Sequence, residues 1–308
     1  MLILYQVAGT VVVKIVQTSD KKRFTRAERE IKLLKKFHKV KNICNILQGT
    51  TRPARAGALG SCACVLEYFD LGTVQTLLDN GDVRFTVRRN GLTCLRFNTT
   101  VAMAKDVLDG LECMHQMDIV HRDIKPANIC VEILPSSTHL RFKIIDLGCA
   151  VSKMVQPTAS SGASSASSSL QHGFTGQFTD MAGLKQPLGT LLFMSPEQID
   201  RHKIIDGRSD IFNLGVTLYK CLSCRFPFVQ PERYWDKESL HRNLIVKFAS
   251  SSEASPLVMP AGVISKQVCD IMVTLILKSI RKVAAKRFSS VSAMKEAIAS
   301  IDRCNPEP

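Results

Sequence analysis

The densest chemistry in this 308-residue chain lies in IVHRDIKPANIC (residues 119–130), where Asp123, Lys125 and Asn128 fall within six positions. A second carboxylate, Asp146, closes the run KIID and stands before Leu147 and Gly148. Carboxylates can take a proton or, together with a carboxamide, offer oxygen ligands to a hard cation. A lysine among them is a compact point charge suited to an anion. Alone, Asp123 could be a helix cap or a turn residue, but that explanation does not cover the four residues in this order. A further lysine, Lys14, lies inside MLILYQVAGTVVVKIV. An unpaired buried charge is very costly, so Lys14 must be solvated, snorkelling or paired.

Several kinds of element must position these groups. LILYQV and VVVKIV are β-rich runs separated by Ala8-Gly9-Thr10, which predicts a hairpin. From Arg26 to Phe37, Ala27, Ile31 and Leu34 fall at helical spacing with charges on the other faces. CACVLEYF (residues 62–69) reads as a buried strand ending near Gly72. Val101, Ala104, Leu108, Leu111 and His115 predict a helix that Asn98 or Thr99 can cap. Ile211, Leu214, Leu218 and Leu222 predict an apolar central helix, and Val291, Met294, Ile298 and Ile301 a last one. Short strands are expected around NICVEIL and RFKIIDL. The segment QPTASSGASSASSSLQHG (residues 156–173) cannot bury a core and is expected to be a disordered insertion. The pattern is a small β-rich part, a connector near residues 68–73, and a larger helical part.

Composition sets the outer bounds. With 45% hydrophobic and 22% charged residues, the chain can bury one large core or two smaller ones. No apolar run approaches the roughly 18 residues that span a bilayer. A signal peptide is not expected, because no basic segment precedes the first apolar stretch. The 11 cysteines are scattered, and Cys62 and Cys64 lack zinc-ligand spacing. A reducing compartment, cytoplasmic or nuclear, is therefore expected, with most thiols packed as small hydrophobes. Much of the net charge of +14 sits in residues 21–41. An acidic partner is one explanation and a solvated helix face the other. The second is favoured and no nucleic-acid partner is expected, since no aromatic-interleaved motif accompanies the charge.

His121-Arg122-Asp123 and Asp146-Leu147-Gly148 resemble the catalytic loop and the metal-binding motif of the eukaryotic-type protein kinases, with Leu147 for the usual Phe. Gly189-Thr190 with Ser195-Pro196-Glu197 is similar to the end of that family's activation segment, and DGRSDIFNLG, with Asp210, to the start of its central helix. Arg287 sits where the family places the arginine that pairs with Glu197. The resemblance covers essentially the whole chain. It implies a two-lobed α+β kinase domain over residues 1–303, with a β-rich N-lobe (1–69), a helical C-lobe (70–303) and a tail (304–308).

The resemblance also implies roles. Asp123 would accept the proton of a substrate hydroxyl, and Asn128 and Asp146 would supply oxygen ligands to Mg2+. Lys125 would reach the transferring phosphate, and Lys14, paired with Glu30, would hold the α- and β-phosphates of ATP. Glu28 is the other glutamate on that helix, and Glu30 fits the register better. Val12 and Leu66 would line the adenine pocket, and the backbones of Glu67 and Phe69 would bond its edge. The Asp-x-Lys-Pro-x-Asn form and Thr190 imply serine/threonine acceptors on protein substrates. The oligomeric state is not implied.

Two departures accompany the resemblance. Gly-x-Gly-x-x-Gly does not precede the Lys14 strand, and Met1 falls about where the second strand begins, so the N-lobe is expected to lack its first strand. The segment from Asp146 to Glu197 spans 52 residues, swollen by the Ser-rich insertion. Gln186 stands where a phosphorylatable residue is usual, with Thr175, Thr179 and the serine run as alternatives. The competing functions are a catalytically impaired kinase-like scaffold, a fragment of a longer kinase, and a small-molecule phosphotransferase.

Overall fold

The computed structural model describes residues 2–6, 10–54, 59–89, 91–134, 139–152, 188–199, 205–229, 237–249, 254–257 and 264–304. In its first part, β1 (Leu2–Gln6), β2 (Thr10–Thr18), β3 (Ile46–Arg52) and β4 (Gly60–Glu67) form an antiparallel sheet in the order β1-β2-β4-β3. The expected hairpin is the β1–β2 pair, in register Leu2 to Lys14; its turn lies outside the described residues. β4 runs from Gly60 to Glu67, two residues earlier at each end than its apolar run predicts. Its alternation buries Cys62 and Cys64 on one face.

Helix α1 (Lys21–Lys36) packs on this sheet through Ala27, Ile31 and Leu34. It starts five residues before the expected Arg26, because the Asp20 carboxylate accepts from the Lys22 and Arg23 amides at 2.8 and 3.4 Å and caps the free N-terminus there.

The second part is mainly helical. It comprises α2 (Val74–Asn80), a hairpin of β5 (Thr86–Arg89) and β6 (Leu92–Leu95), α3 (Phe97–Gln116), the short strand β7 (Ile119–Val120), and the pair β8 (Ile129–Ile133) and β9 (Leu140–Ile144). Then come β10 (Val151–Ser152), paired with β7, and two short helices, α4 (Leu188–Leu191) and α5 (Pro196–Ile199). Helices α6 (Arg208–Ser223), α7 (Lys237–Ala249), α8 (Lys266–Ser279) and α9 (Val291–Cys304) complete it. Helix α6 is buried on nearly every face, as its apolar stripe predicts. The Ser-rich insertion, Thr175, Thr179 and Gln186 lie outside the described residues.

Helix α3 departs from its expected start. Arg96 is the capping residue and makes no side-chain cap, so neither Asn98 nor Thr99 caps the helix. The hairpin delivers the chain one residue after Leu95, which places both inside the first turn, where the Thr100 hydroxyl bonds back to the Arg96 carbonyl at 3.0 Å. The hairpin itself is not foreseen by the apolar pattern. It is tied to α6 by a disulfide between Cys94 and Cys224. That pair departs from the expectation of free thiols. Cys44, Cys62, Cys64, Cys130, Cys149, Cys221 and Cys269 form no disulfide and are buried, as expected.

Candidate active site

The loop between β7 and β8 carries its groups on a backbone held from below. Asp210, in the first turn of α6 and fully buried, accepts from the amides of His121 at 2.9 Å and Arg122 at 2.7 Å. His115 Nε2 meets the same carboxylate at 2.7 Å. Burial works against the charge on Asp210, but His115 and His121 and these amides overcome it and hold its carboxyl below the usual aspartate value. This grip sustains a left-handed Arg122 (φ 68°), a conformation that a non-glycine residue keeps only when its surroundings fix it.

The His121 ring is also fixed. Its Nδ1 accepts from the Asp123 amide at 3.2 Å, which leaves the proton on Nε2 to be donated to the Ile145 carbonyl at 3.2 Å. Asp123 is only 8% exposed, and its carboxylate accepts three hydrogen bonds from two donor groups. Lys125 Nζ donates to both oxygens at 2.9 and 2.8 Å, and Asn128 Nδ2 to Oδ2 at 2.9 Å. Lys125 Nζ also donates to the Thr190 hydroxyl at 3.0 Å, so the segment before α5 reaches the same spot. Asn128 uses its amide hydrogens on Asp123, and its carboxamide oxygen is not engaged by that contact.

Asp146 approaches from the end of β9, again with left-handed backbone (φ 58°), and its side chain is 40% exposed. Its Oδ1 accepts from the Gly148 amide at 3.2 Å and lies 3.5 Å from Lys14 Nζ. Burial raises the Asp146 carboxyl, but Lys14, the Gly148 amide and Arg26 outweigh it and hold it below the ordinary range. Lys14 Nζ donates to Glu30 Oε1 at 2.6 Å. Burial lowers the Lys14 ammonium, but Asp146 and Glu30 more than compensate and leave it above its usual value. Glu28 turns away and pairs with Lys32 at 3.2 Å. The lysine in the valine run is therefore paired, and it joins the sheet to α1 and to the loop carrying Asp146.

At the strand end of β4, part of the backbone is already bonded within the chain. Val12 and Leu66 are direct neighbours across β2 and β4. Leu66 packs beside Cys44, Phe69 and Cys130. The Glu67 amide donates to the Asn45 carbonyl at 3.2 Å, and the Phe69 carbonyl accepts from the Gly72 amide at 2.9 Å. A planar ligand edge would thus have to use the other backbone group of each residue. The Glu67 side chain is held by the Asn45 amide at 2.6 Å and by Lys143 Nζ at 2.8 Å. Burial pushes the Cys130 thiol up to about 12, so it behaves there as an apolar group.

Below the loop, Arg287 meets Glu197 in a two-pronged ion pair at 2.6 and 2.8 Å, and Ser209 Oγ donates to the same carboxylate at 2.7 Å. Leu147 and Gly148 are buried in the turn after Asp146.

Several participants were not singled out from sequence. Gln198 donates to the Arg122 carbonyl at 2.7 Å and accepts from the Ser195 amide and Asn213 Nδ2, which ties α5 and α6 to the loop. Lys143 sits beneath Glu67. Arg26 donates through Nε to the Gly148 carbonyl at 2.8 Å. Its only sequence signal is its place four residues before Glu30, on the same helical face.

The constellation pairs a buried, donor-lined carboxylate with a second, partly exposed one, a carboxamide oxygen that the contact with Asp123 does not use, and two lysines. It can deprotonate a hydroxyl and neutralise a polyanion. Comparison with known proteins agrees with that chemistry. The model of the protein kinase domain matches residues 5–298. The chain is 30% identical over 198 residues to "Serine/threonine-protein kinase pkn2" of Myxococcus xanthus, covering 64% of this chain and 20% of that protein. It is 29% identical over 205 residues to "Serine/threonine-protein kinase TOS3" of Saccharomyces cerevisiae, covering 66% and 32%. It is 29% identical over 227 residues to "DNA damage response protein kinase DUN1" of the same yeast, covering 68% and 36%. The chain thus spans between a fifth and about a third of the length of these relatives.

Proposed function

This chain belongs to the protein kinase domain family, and from that premise we propose that it transfers the γ-phosphoryl group of ATP to serine or threonine hydroxyls of protein substrates. The observation that carries the reading is the joint geometry of Asp123, Lys125 and Asn128, with Lys14 held between Glu30 and Asp146.

In the proposed reaction, the acceptor hydroxyl approaches Asp123, which orients it and takes its proton as the oxygen attacks. Lys125, now on Asp123, has to turn its ammonium toward the transferring phosphate, and Thr190 supplies the alternative partner that guides it. Lys14 holds the inner phosphates while Glu30 keeps it in place. The donor set fits Mg2+, since Asp146 is ionised and partly exposed and Asn128 has an oxygen to offer. When bound there, the cation would neutralise charge on the phosphates. The Ser/Thr preference is supported by the likeness to serine/threonine kinases and by the Lys125–Thr190 contact.

The test is Asp123→Asn, which keeps the Asn128 and Lys125 neighbourhood in shape but removes the proton acceptor. Phosphoryl transfer from labelled ATP to a mixed Ser/Thr peptide pool should fall by about 10²–10⁴-fold, with the thermal midpoint within a few degrees of the parent. Equal rates for parent and variant would sink the assignment. Nucleotide binding by the parent without any transfer would favour the scaffold instead.

A further inference from the structure

Residues 148 and 149 are gripped from two sides. Arg122, in the Asp123 loop, donates from Nε to the Cys149 carbonyl at 2.7 Å. Arg26, on α1, donates from Nε to the Gly148 carbonyl at 2.8 Å and from Nη2 to Cys149 Sγ at 2.9 Å. Arg26 lies one helical turn before Glu30, about 6 Å along the axis, so one face of α1 carries both the glutamate that holds Lys14 and an arginine fastened to the turn after Asp146. The turn leaves room for that arginine. A Cβ at Gly148 would come within 3.0 Å of both Arg26 Nε and Asp146 Oδ1, so a side chain there would push against the guanidinium as well as the carboxylate.

We propose that Arg26 is a positioning residue: it clamps α1 to the turn after Asp146, and by fixing the helix it delivers Glu30 to Lys14. The clamp rests on the phosphoryl-transfer reading for its effect on the reaction, but not for its effect on the helix.

Three further observations support it. First, two exposed lysines of α1 are engaged elsewhere: Lys32 pairs with Glu28 on the helix itself, and Lys35 reaches the Gly49 carbonyl of the neighbouring strand. Second, Arg26 acts electrostatically on both carboxylates that flank Lys14. Burial pushes Glu30 up and Lys14 leads the groups that oppose it, with Arg26 among them; Arg26 also helps hold Asp146 down. Third, the fork is directional. A lysine at 26 would keep the charge but could not make both contacts in one plane.

The experiment compares the full chain with Arg26→Met, Arg26→Lys and Gly148→Ala, by hydrogen exchange read by mass spectrometry and by steady-state kinetics with Mg·ATP. Arg26→Met should speed amide exchange across residues 21–36 by about tenfold or more while the thermal midpoint barely moves. It should also raise the KM for ATP by about tenfold and lower kcat. Arg26→Lys should recover part of both effects, and Gly148→Ala should reproduce the faster exchange of α1 with Arg26 still present. Wild-type exchange in residues 21–36 for Arg26→Met would overturn the clamp. So would faster exchange accompanied by an unchanged KM for ATP in an active chain. If the parent shows no transfer yet Arg26→Met still loosens the helix, the clamp stands and the phosphoryl-transfer reading falls.

Discussion

Glu197 and Arg287 are almost wholly removed from water, at 7% and 0% side-chain exposure, and each is the other's only opposite charge in the ion pair. Taking away one partner leaves a buried charge with no counterpart, a change that typically costs about 3–5 kcal/mol. Arg287→Ala should therefore unfold at markedly lower denaturant concentration at neutral pH. Burial opposes the Glu197 carboxylate, but the bonds from Arg287 prevail and hold its carboxyl below the reference value of 4.5. A carboxyl depressed in the folded state stabilises it above the unfolded value and loses that contribution as pH falls through the folded one. The stability gap between parent and Arg287→Ala should accordingly narrow below about pH 4.5 in a denaturation series, and a gap constant down to pH 2 would contradict this origin. This pair was legible in the sequence because a motif fixes each partner. Arg26, Gln198 and Lys143 were not, because a charge in a basic helix, or a lone polar residue, has many possible partners until the fold chooses one.

Among the elements, strands and long helices were readable where apolar spacing was regular, as in α6 and α9. Their starts were not, because those depend on single hydrogen bonds. Asp20 moved the start of α1, and the unforeseen β5–β6 hairpin set the start of α3. Close helix contacts were hidden for a different reason. Gly215 lies inside α6, where glycine costs up to about 1 kcal/mol relative to alanine, so propensity alone argues against it. The fold explains it, since a Cβ there would come within 2.7 Å of Ser279 Cβ and 2.8 Å of Ile280 Cγ2 at the end of α8. Gly215→Val should force the two helices apart and lower stability by about 1–3 kcal/mol despite the smaller backbone entropy lost on folding. A thermal midpoint equal to the parent's would show that α8 can shift freely.

At the scale of the whole molecule, two parts share one hydrophobic core and are joined by specific polar links, among them Lys14 to Asp146, Arg26 to Gly148, and the Glu67 carboxylate to Lys143. The two-part plan was legible because periodicity changes from two to nearly four near residue 70. The link across the hairpin was not, since spacing cannot tell which of 11 cysteines pair. The Cys94–Cys224 bond closes a covalent ring with a sequence separation of 130. That ring contains Asp123, Lys125, Asn128, Asp146 and Glu197, and it leaves Lys14, Glu30 and Arg287 outside. A pull on the two chain ends therefore runs through the bond and bypasses everything within the ring. In an optical-trap experiment the fully stretched chain should fall short by about 450 Å, at roughly 3.5 Å for each shielded residue. Adding a thiol reductant should restore that length in one step. Until then, Asp123, Asn128 and Asp146 should bear no load while Lys14, which faces Asp146, is stripped away.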